Sequence, residues 1–117
     1  MSQSKTAADL AARSCKACQG KVARLDDRQV TQFLSGLPGW ASSGNEIAKT
    51  YSFKDYYQTM AFVNATAWIS HHEDHHPDLE VGYNKCKIRY STHSVGGLSE
   101  NDFICAAKID ALIQNDE

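Results

Sequence analysis

The residues best able to do chemistry in this chain are its five histidines. Four of them fall within seven consecutive residues, and the fifth, His93, lies further along; the run reads His71-His72-Glu73-Asp74-His75-His76-Pro77. Imidazole titrates near neutral pH, transfers protons and binds metal ions. The cluster is therefore open to three interpretations: a solvated loop, a metal site, or a metal-free site of acid–base catalysis.

A metal site would use the spacing within the cluster. Residues four apart on a helix can bind one metal ion together, and two histidine pairs in the cluster have that spacing. The Cys-x-x-Cys of Cys15 and Cys18 could complete a Cys2His2 zinc site or act as a redox pair. The cluster also matches His-Glu-x-x-His, but that pattern belongs in the middle of a helix, and Pro77 disfavours helical conformation in the residue before it.

Acid–base catalysis needs only the imidazoles themselves. Dehydration at a carbon that bears a hydroxyl beside a nitrogen requires an acid to protonate the departing hydroxyl. It also requires a base to accept the proton from that nitrogen. Histidine can fill either role near neutral pH, and each is typically worth about 10²–10⁴-fold in rate. Two or three imidazoles around a small polar heterocycle would suffice without a cofactor.

Length and composition describe one globular domain of 117 residues, with a hydrophobic content of 42% and a charged content of 22%. A net charge of -2 gives no general attraction to nucleic acid or anionic membranes, and no apolar run approaches the roughly 20 residues of a membrane span. The N-terminal residues lack the apolar core of a signal peptide. We expect a cytoplasmic protein with no nucleic-acid or membrane partner, in which Cys86 and Cys105 are small buried thiols.

The first half of the chain predicts a helix and a hairpin. Asp26 forms a capping box with the glutamine three residues later, and the helix that follows ends before Pro38. Residues 40–53 alternate as a hairpin that turns at Gly44-Asn45. Lys49 falls on the apolar face of this hairpin, which indicates an edge position or a side chain whose stem alone is buried.

The second helix leads directly into the histidines. It begins at Ser52 or Asp55, both of which are good N-cap residues, and ends by about His75 because of Pro77. Its broad apolar surface is expected to pack against a sheet. The residues assigned to that surface are Tyr56, Met60, Phe62, Val63, Ala65, Ala67, Trp68 and Ile69.

A second hairpin and a third helix complete the pattern. Two strands that begin near Leu79 turn at Asn84-Lys85, and the second strand ends at His93, on the face of the sheet away from the core. Ser99 and Asp102 form another capping box, and the helix that it begins runs to about Gln114.

This order of elements predicts an α+β fold: a four-stranded antiparallel sheet with three helices packed on one face, in the order α-β-β-α-β-β-α. Residues 25–117 form the single domain, and residues 1–24 form a loosely ordered arm that carries the Cys-x-x-Cys. The last helix is apolar on nearly all sides, so we expect a second subunit to cover what the sheet does not. The prediction is an oligomer, most simply with two-fold symmetry.

Several motifs resemble, in order, those of the pterin-4a-carbinolamine dehydratase family. They lie within residues 25–113 and are Gly39-Trp40, Phe53-Lys54-Asp55, His75-His76-Pro77-Asp78, Tyr83-Asn84-Lys85, Ser91-Thr92-His93 and Gly97-Leu98-Ser99-Glu100-Asn101-Asp102. The resemblance implies the derived α+β fold and a lyase that dehydrates 4a-hydroxytetrahydrobiopterin to quinonoid dihydropterin without a metal or other cofactor. It also implies a functional link to a pterin-dependent aromatic amino acid hydroxylase, whose cofactor the reaction recycles.

The same resemblance assigns the site. The three family histidines are His75, His76 and His93, with His75 and His93 as the acid–base pair and His76 mainly as a substrate ligand, although these roles could be exchanged. The other residues that would line the pterin site are Pro77, Thr92, Ser94 and Val95. Asp102 also matches a family position, and the sequence leaves open whether it belongs to the site or only caps the helix.

Two further functions stay open from sequence. Some animal members of the family bind a transcription factor, so an oligomeric protein-binding or coactivator-type module is one alternative. A zinc-binding protein that uses the histidine cluster is the other. The sequence also departs from the family at Leu79, where an aromatic residue is common, and at His71, where an acidic residue is common.

Overall fold

The structure is a computed structural model that describes residues 7–15 and 22–113. Four α-helices lie in this part of the chain: α1 (Ala7–Ala11), α2 (Asp27–Leu34), α3 (Tyr56–Glu73) and α4 (Glu100–Ala111). The strands are β1 (Ala41–Ser43), β2 (Glu46–Ser52), β3 (Asp78–Val81) and β4 (Lys85–Tyr90), and a short 3-10 helix covers His93–Val95. Among the described helices, none combines the length and apolarity needed to cross a membrane.

The four strands form one antiparallel sheet in the order β1-β2-β4-β3. Each hairpin contributes one edge strand and one central strand, and the central strands pair from Ile47 opposite Tyr90 to Ser52 opposite Lys85. The buried side chains of the central strands face the helices, and they are Ile47, Tyr51, Cys86, Ile88 and Tyr90. The predicted α+β fold with a four-stranded antiparallel sheet is confirmed, with α1 as a helix beyond the three expected.

The predicted N-cap residues of α2 and α4 are confirmed, and the N-cap of α3 is one of the two predicted candidates. Asp26 and Ser99 each form the expected capping box at the N-termini of α2 and α4. Asp55, rather than Ser52, caps α3 by accepting a hydrogen bond from the backbone N–H of Gln58 at 2.9 Å. Gly44 adopts the positive φ of 62° that the first hairpin's turn requires. Local signals therefore located the starts of α2 and α4, whereas the structure selects Asp55 from the two candidates for α3.

The predicted buried face of α3 is partly wrong. Phe62 and Ile69 are buried, but Trp68 is 66% exposed, and Thr59 and Thr66 take the positions closest to the core. Both threonine hydroxyls donate to carbonyl groups of their own helix, from Thr59 to Asp55 at 2.8 Å and from Thr66 to Val63 at 2.7 Å. Because these hydroxyls are satisfied internally, two polar residues can be buried where larger apolar residues were expected.

Three smaller corrections concern the sheet. The second hairpin turns through residues 82–84, since Lys85 already pairs with Ser52 in the central ladder. The strand that precedes His93 ends at Tyr90, and His93 instead begins the 3-10 helix. Lys49 lies on a central strand and not at an edge, and its ammonium group donates to the Asp110 carboxylate at 2.9 Å.

The side of α4 away from the sheet is covered by the chain's own N-terminal segment. Leu10 of α1 is fully buried, and the Lys108 ammonium group donates to the Ala11 carbonyl at 2.7 Å. Within the arm that was expected to be loosely ordered, residues 7–11 thus form a helix on α4. The apolar surface of α4 is therefore covered within one chain, and it is no longer a reason to expect a second subunit. Cys18 and Gln114 lie outside the described residues.

Candidate functional site

Three chain segments meet at the N-terminal end of α4. The first follows α3, which ends when Asp74 adopts a left-handed conformation with φ of 54°. With this reversal, the backbone N–H of His75 donates to the Ser70 carbonyl at 3.1 Å, and the chain continues from α3 to β3. The second segment follows β4 through Thr92, and the third is the first turn of α4 with Asp102.

The centre of this junction is a buried pair, His75 and Asp102. The His75 Nε2 lies 2.7 Å from the Asp102 Oδ1, and the two residues are 5% and 0% exposed. The imidazole also stacks on the ring of Tyr90, with centroids 5.5 Å apart and ring planes within 6°. His75 is therefore fixed in both position and ring orientation.

The second oxygen of Asp102 joins the other two segments. Asp102 Oδ2 accepts from the Thr92 hydroxyl at 2.9 Å and from the Ser99 backbone N–H at 2.9 Å. The Thr92 and Ser99 hydroxyls are also 2.7 Å apart. Asp102 thus caps α4 and binds His75 at once.

The chemistry of the pair follows from the acceptor character of a carboxylate. An ionised Asp102 can only accept hydrogen bonds, so the His75 Nε2 carries the proton that is shared between them. This leaves Nδ1 of a neutral His75 as the ring nitrogen with a free lone pair. The arrangement suits a general base.

The structure brings only some of the predicted site residues into direct contact. His75, Thr92 and Asp102 belong to the hydrogen-bonded group. Among the described residues this group does not include His76 or His93, whose side chains are exposed on the neighbouring positions of the same two segments. The other predicted lining residues are exposed at Ser94 and half-buried at Pro77 and Val95.

Two participants were not expected from sequence. Ser99 was predicted only as a helix cap, yet its hydroxyl also contacts Thr92. The ring of Tyr90 supports His75, and burial raises the pKa of the Tyr90 hydroxyl well above its usual value. The apolar alternation of β4 indicates that Tyr90 faces the core, but it does not indicate which ring Tyr90 contacts.

The described residues hold no group of three or more histidine, cysteine, aspartate or glutamate side chains placed to bind a metal ion. The histidines of the cluster diverge, since His71 and His72 are exposed on α3 while His75 is buried beyond the helix. The proposed Cys2His2 set is therefore not assembled in the described residues, and its fourth member, Cys18, lies outside them.

Two surface grooves of about 740 and 520 Å³ lie along the outer side of α3, away from this junction. The first is lined in part by Tyr57 and Phe62, the second by Trp68 and His72, and both reach Leu112. Neither includes His75, His76 or His93. Since the buried pair and the exposed histidines lie elsewhere, we place the candidate site at the α4 N-terminus and treat the grooves as a separate surface.

Relatives of known name share most of the chain. A protein of Nitrosospira multiformis named "Putative pterin-4-alpha-carbinolamine dehydratase" is 62% identical over 106 residues, which cover 91% of this chain and 94% of that relative. A protein of the same name from Nitrosomonas eutropha is 59% identical, over 90% of this chain and 94% of its own length.

Two solved structures are also similar. A protein described as a transcriptional coactivator/pterin dehydratase from Brucella melitensis matches with a TM-score of 0.74 and 30% identity, over 76% of this chain and 97% of its own. A pterin dehydratase-like protein described as a RuBisCO assembly factor in the alpha-carboxysome matches with a TM-score of 0.54 and 28% identity, over 64% and 87% of the two chains. The family model for pterin 4 alpha carbinolamine dehydratase matches residues 23–112, and this chain belongs to that family.

Proposed function

We propose that this protein is a lyase that dehydrates 4a-hydroxytetrahydrobiopterin to quinonoid dihydropterin by metal-free acid–base catalysis. The observation that carries the proposal is the buried His75–Asp102 pair, which lies between the two segments that present His76 and His93. Membership in the dehydratase family supplies the substrate class. We propose no cofactor.

The reaction needs one proton donor and one proton acceptor. The acid protonates the hydroxyl at carbon 4a, and the carbon–oxygen bond breaks to release water. The base removes the proton from the adjacent nitrogen, and the electron pair of that N–H bond completes the new carbon–nitrogen double bond. Atoms and charge balance without any change in the redox state of the enzyme, which regains its starting protonation when the two histidines exchange protons with water.

We assign the base to His75 and the acid to His93. Asp102 stabilises the imidazolium that His75 becomes, whereas His93 is exposed and can protonate a hydroxyl that then leaves into solvent. The exposed His76, next to His75, is assigned to binding the pterin. The residues proposed to line the rest of the site are Pro77, Thr92, Ser94 and Val95.

The proposal is tested by following 4a-hydroxytetrahydropterin dehydration with and without a chelator. We expect His75→Ala and His93→Ala each to lower kcat by about 10²–10⁴-fold. His76→Ala should mainly raise KM, because it removes a binding group. His71→Ala is the matched control, since it deletes an exposed imidazole from the same cluster outside the site. Wild-type kcat in His93→Ala, or loss of activity with chelator, would refute the mechanism.

The product of this reaction suggests the physiological setting. Quinonoid dihydropterin is the form that a reductase returns to the tetrahydro cofactor, so we propose a functional link to a pterin-dependent aromatic amino acid hydroxylase in the cytoplasm. In a reconstituted hydroxylase assay with limiting pterin, adding this protein should sustain turnover. The His93→Ala variant should not.

A protein-binding role is supported by a different surface. Tyr57 is 82% exposed and Trp68 is 66% exposed on the outer side of α3, and both line the grooves described above. The two solved relatives are described as a transcriptional coactivator/pterin dehydratase and as a RuBisCO assembly factor. We propose that a second copy of this chain covers this surface in a homodimer or homotetramer. Light scattering at micromolar concentration should give at least twice the chain mass, and Trp68→Ala should reduce it.

A further inference from the structure

Two cysteines far apart in sequence lie side by side next to α4. The Sγ atoms of Cys15 and Cys105 are 3.5 Å apart, although 90 residues separate them. Cys105 is fully buried within α4, while Cys15 is half-buried and also contacts the Asn101 carbonyl at 3.7 Å. The first cysteine of the Cys-x-x-Cys thus has a partner that the motif itself does not contain.

The backbone on both sides of this contact is held in place. The Cys15 backbone N–H donates to the Glu73 carboxylate at 2.8 Å, and the Arg13 guanidinium pairs with Glu100. One helical turn beyond Cys105, Lys108 binds the Ala11 carbonyl and lies 3.6 Å from Glu73. The two sulfurs are therefore close because α1, the end of α3 and α4 are packed together, and no rearrangement of the arm is needed to bring them into contact.

We propose that Cys15 and Cys105 form an oxidative modification site, in which a small-molecule disulfide converts the thiol pair into an intrachain disulfide. Cys15, the more accessible thiol, attacks the reagent as its thiolate and forms a mixed disulfide with release of one thiol. Cys105 then attacks the Cys15 sulfur and releases the second thiol. One reagent disulfide is reduced to two thiols, and the two protein thiols are oxidised with loss of two protons.

The groups around the two cysteines determine the rate of this thiol–disulfide exchange. The hydrogen bond to Cys105, burial, and the nearby Glu73 carboxylate raise the pKa of the Cys15 thiol. Since the thiolate is the attacking form, exchange should be slow near neutral pH and accelerate as the pH rises. Thiols with a raised pKa are also poor leaving groups, so the cross-link should resist reduction once formed. In a reducing compartment the pair should remain as thiols until the glutathione pool becomes oxidised.

The test exposes the full chain to oxidised glutathione at pH 8.5, blocks free thiols, and identifies cross-linked peptides by mass spectrometry. We expect a peptide that joins Cys15 to Cys105. Cys18→Ala should retain this peptide, and so should Cys86→Ala, the matched control that removes another buried cysteine. Cys15→Ala should lose the cross-link while Cys105 remains a free thiol.

Stability gives a second readout that does not depend on peptide recovery. A cross-link across 90 residues should raise Tm by about 10 °C, and dithiothreitol should reverse the rise in the wild type. Cys15→Ala, on a half-buried side chain, should fold and show no rise. A dominant Cys15–Cys18 peptide, a glutathione adduct on Cys15 without cross-linking, or free Cys105 throughout would each overturn the proposal.

Discussion

A buried aspartate near each end of α4 accepts several hydrogen bonds, and the two aspartates differ in the groups that donate to them. At the N-terminal end, Asp102 accepts from His75, Thr92 and the Ser99 backbone. At the C-terminal end, Asp110 accepts from Trp40 Nε1 at 3.2 Å, from Lys49 at 2.9 Å and from the Tyr51 hydroxyl. Both carboxylates are almost completely shielded from solvent.

The difference lies in what each set of donors can do. Lys49 and the Trp40 indole serve Asp110 only as hydrogen-bond donors. His75 instead has a second ring nitrogen that can act as an acceptor. It is also followed in sequence by an exposed second imidazole, His76. A buried carboxylate with several donors therefore does not by itself indicate catalysis. We base the proposed site on the imidazole among the donors of Asp102 and on the exposed imidazoles beside it.

The largest expected effect is on stability at the C-terminal end. Asp110→Ala leaves Lys49, Trp40 and Tyr51 without their acceptor, so we expect the free energy of unfolding to fall by about 3 kcal/mol. Urea titration measures this loss. Assays at low temperature should find kcat/KM of the folded protein within about two-fold of wild type. A large fall in kcat would show that this end also serves the reaction.

The next effect is on activity at the N-terminal end. Asp102→Asn keeps the shape of the side chain but removes the negative charge beside His75, so we expect kcat to fall by about 10²-fold with little change in KM. Steady-state kinetics checks the split between the two constants. Ser99→Ala is the control, because it removes a cap worth about 1 kcal/mol and leaves the carboxylate in place. An equal loss of kcat in Asp102→Asn and Ser99→Ala would show that Asp102 has only a structural role.

The smallest effect concerns stability at alkaline pH, through Tyr51 at the C-terminal end. Burial and the hydrogen bond to Asp110 raise the pKa of Tyr51 above the usual 10.0. Above about pH 10 the unfolded chain therefore loses the tyrosine proton before the folded chain does, and stability falls by up to about 1.4 kcal/mol per pH unit for this group. Tyr51→Phe should flatten the decline in urea midpoints between pH 9 and 11. Tyr57→Phe, on an exposed side chain, should leave the decline unchanged.

The sequence predicted those features whose causes are local. The capping boxes at Asp26 and Ser99, and the end of α3 before Pro77, each depend on residues within a few positions of one another. Motif order also identified the family, since it does not require knowledge of distances. The positions of His75, His76 and His93 in the chain were available in the same way.

The remaining features depend on contacts between distant elements. The Thr59 hydroxyl also lies 2.9 Å from the Tyr83 carbonyl, which is 24 residues away. The coverage of α4 by α1 and the contact of Cys15 with Cys105 likewise depend on where the N-terminal segment packs. Periodicity reports which side of an element is apolar, but it does not report which polar groups find partners there.

The strand order has a consequence for how the protein folds. Each hairpin joins neighbouring segments, whereas the central β2–β4 ladder joins strands that are separated by the whole of α3. Pairings between distant segments carry a larger loop-closure cost and form later than local hairpins. The junction around Asp102 needs β4, the turn after α3 and the start of α4 together, so we expect it to be complete only once the central ladder has closed. A chain released from synthesis with both hairpins formed but unpaired would contain every residue of the proposed site, but those residues would not yet be brought together.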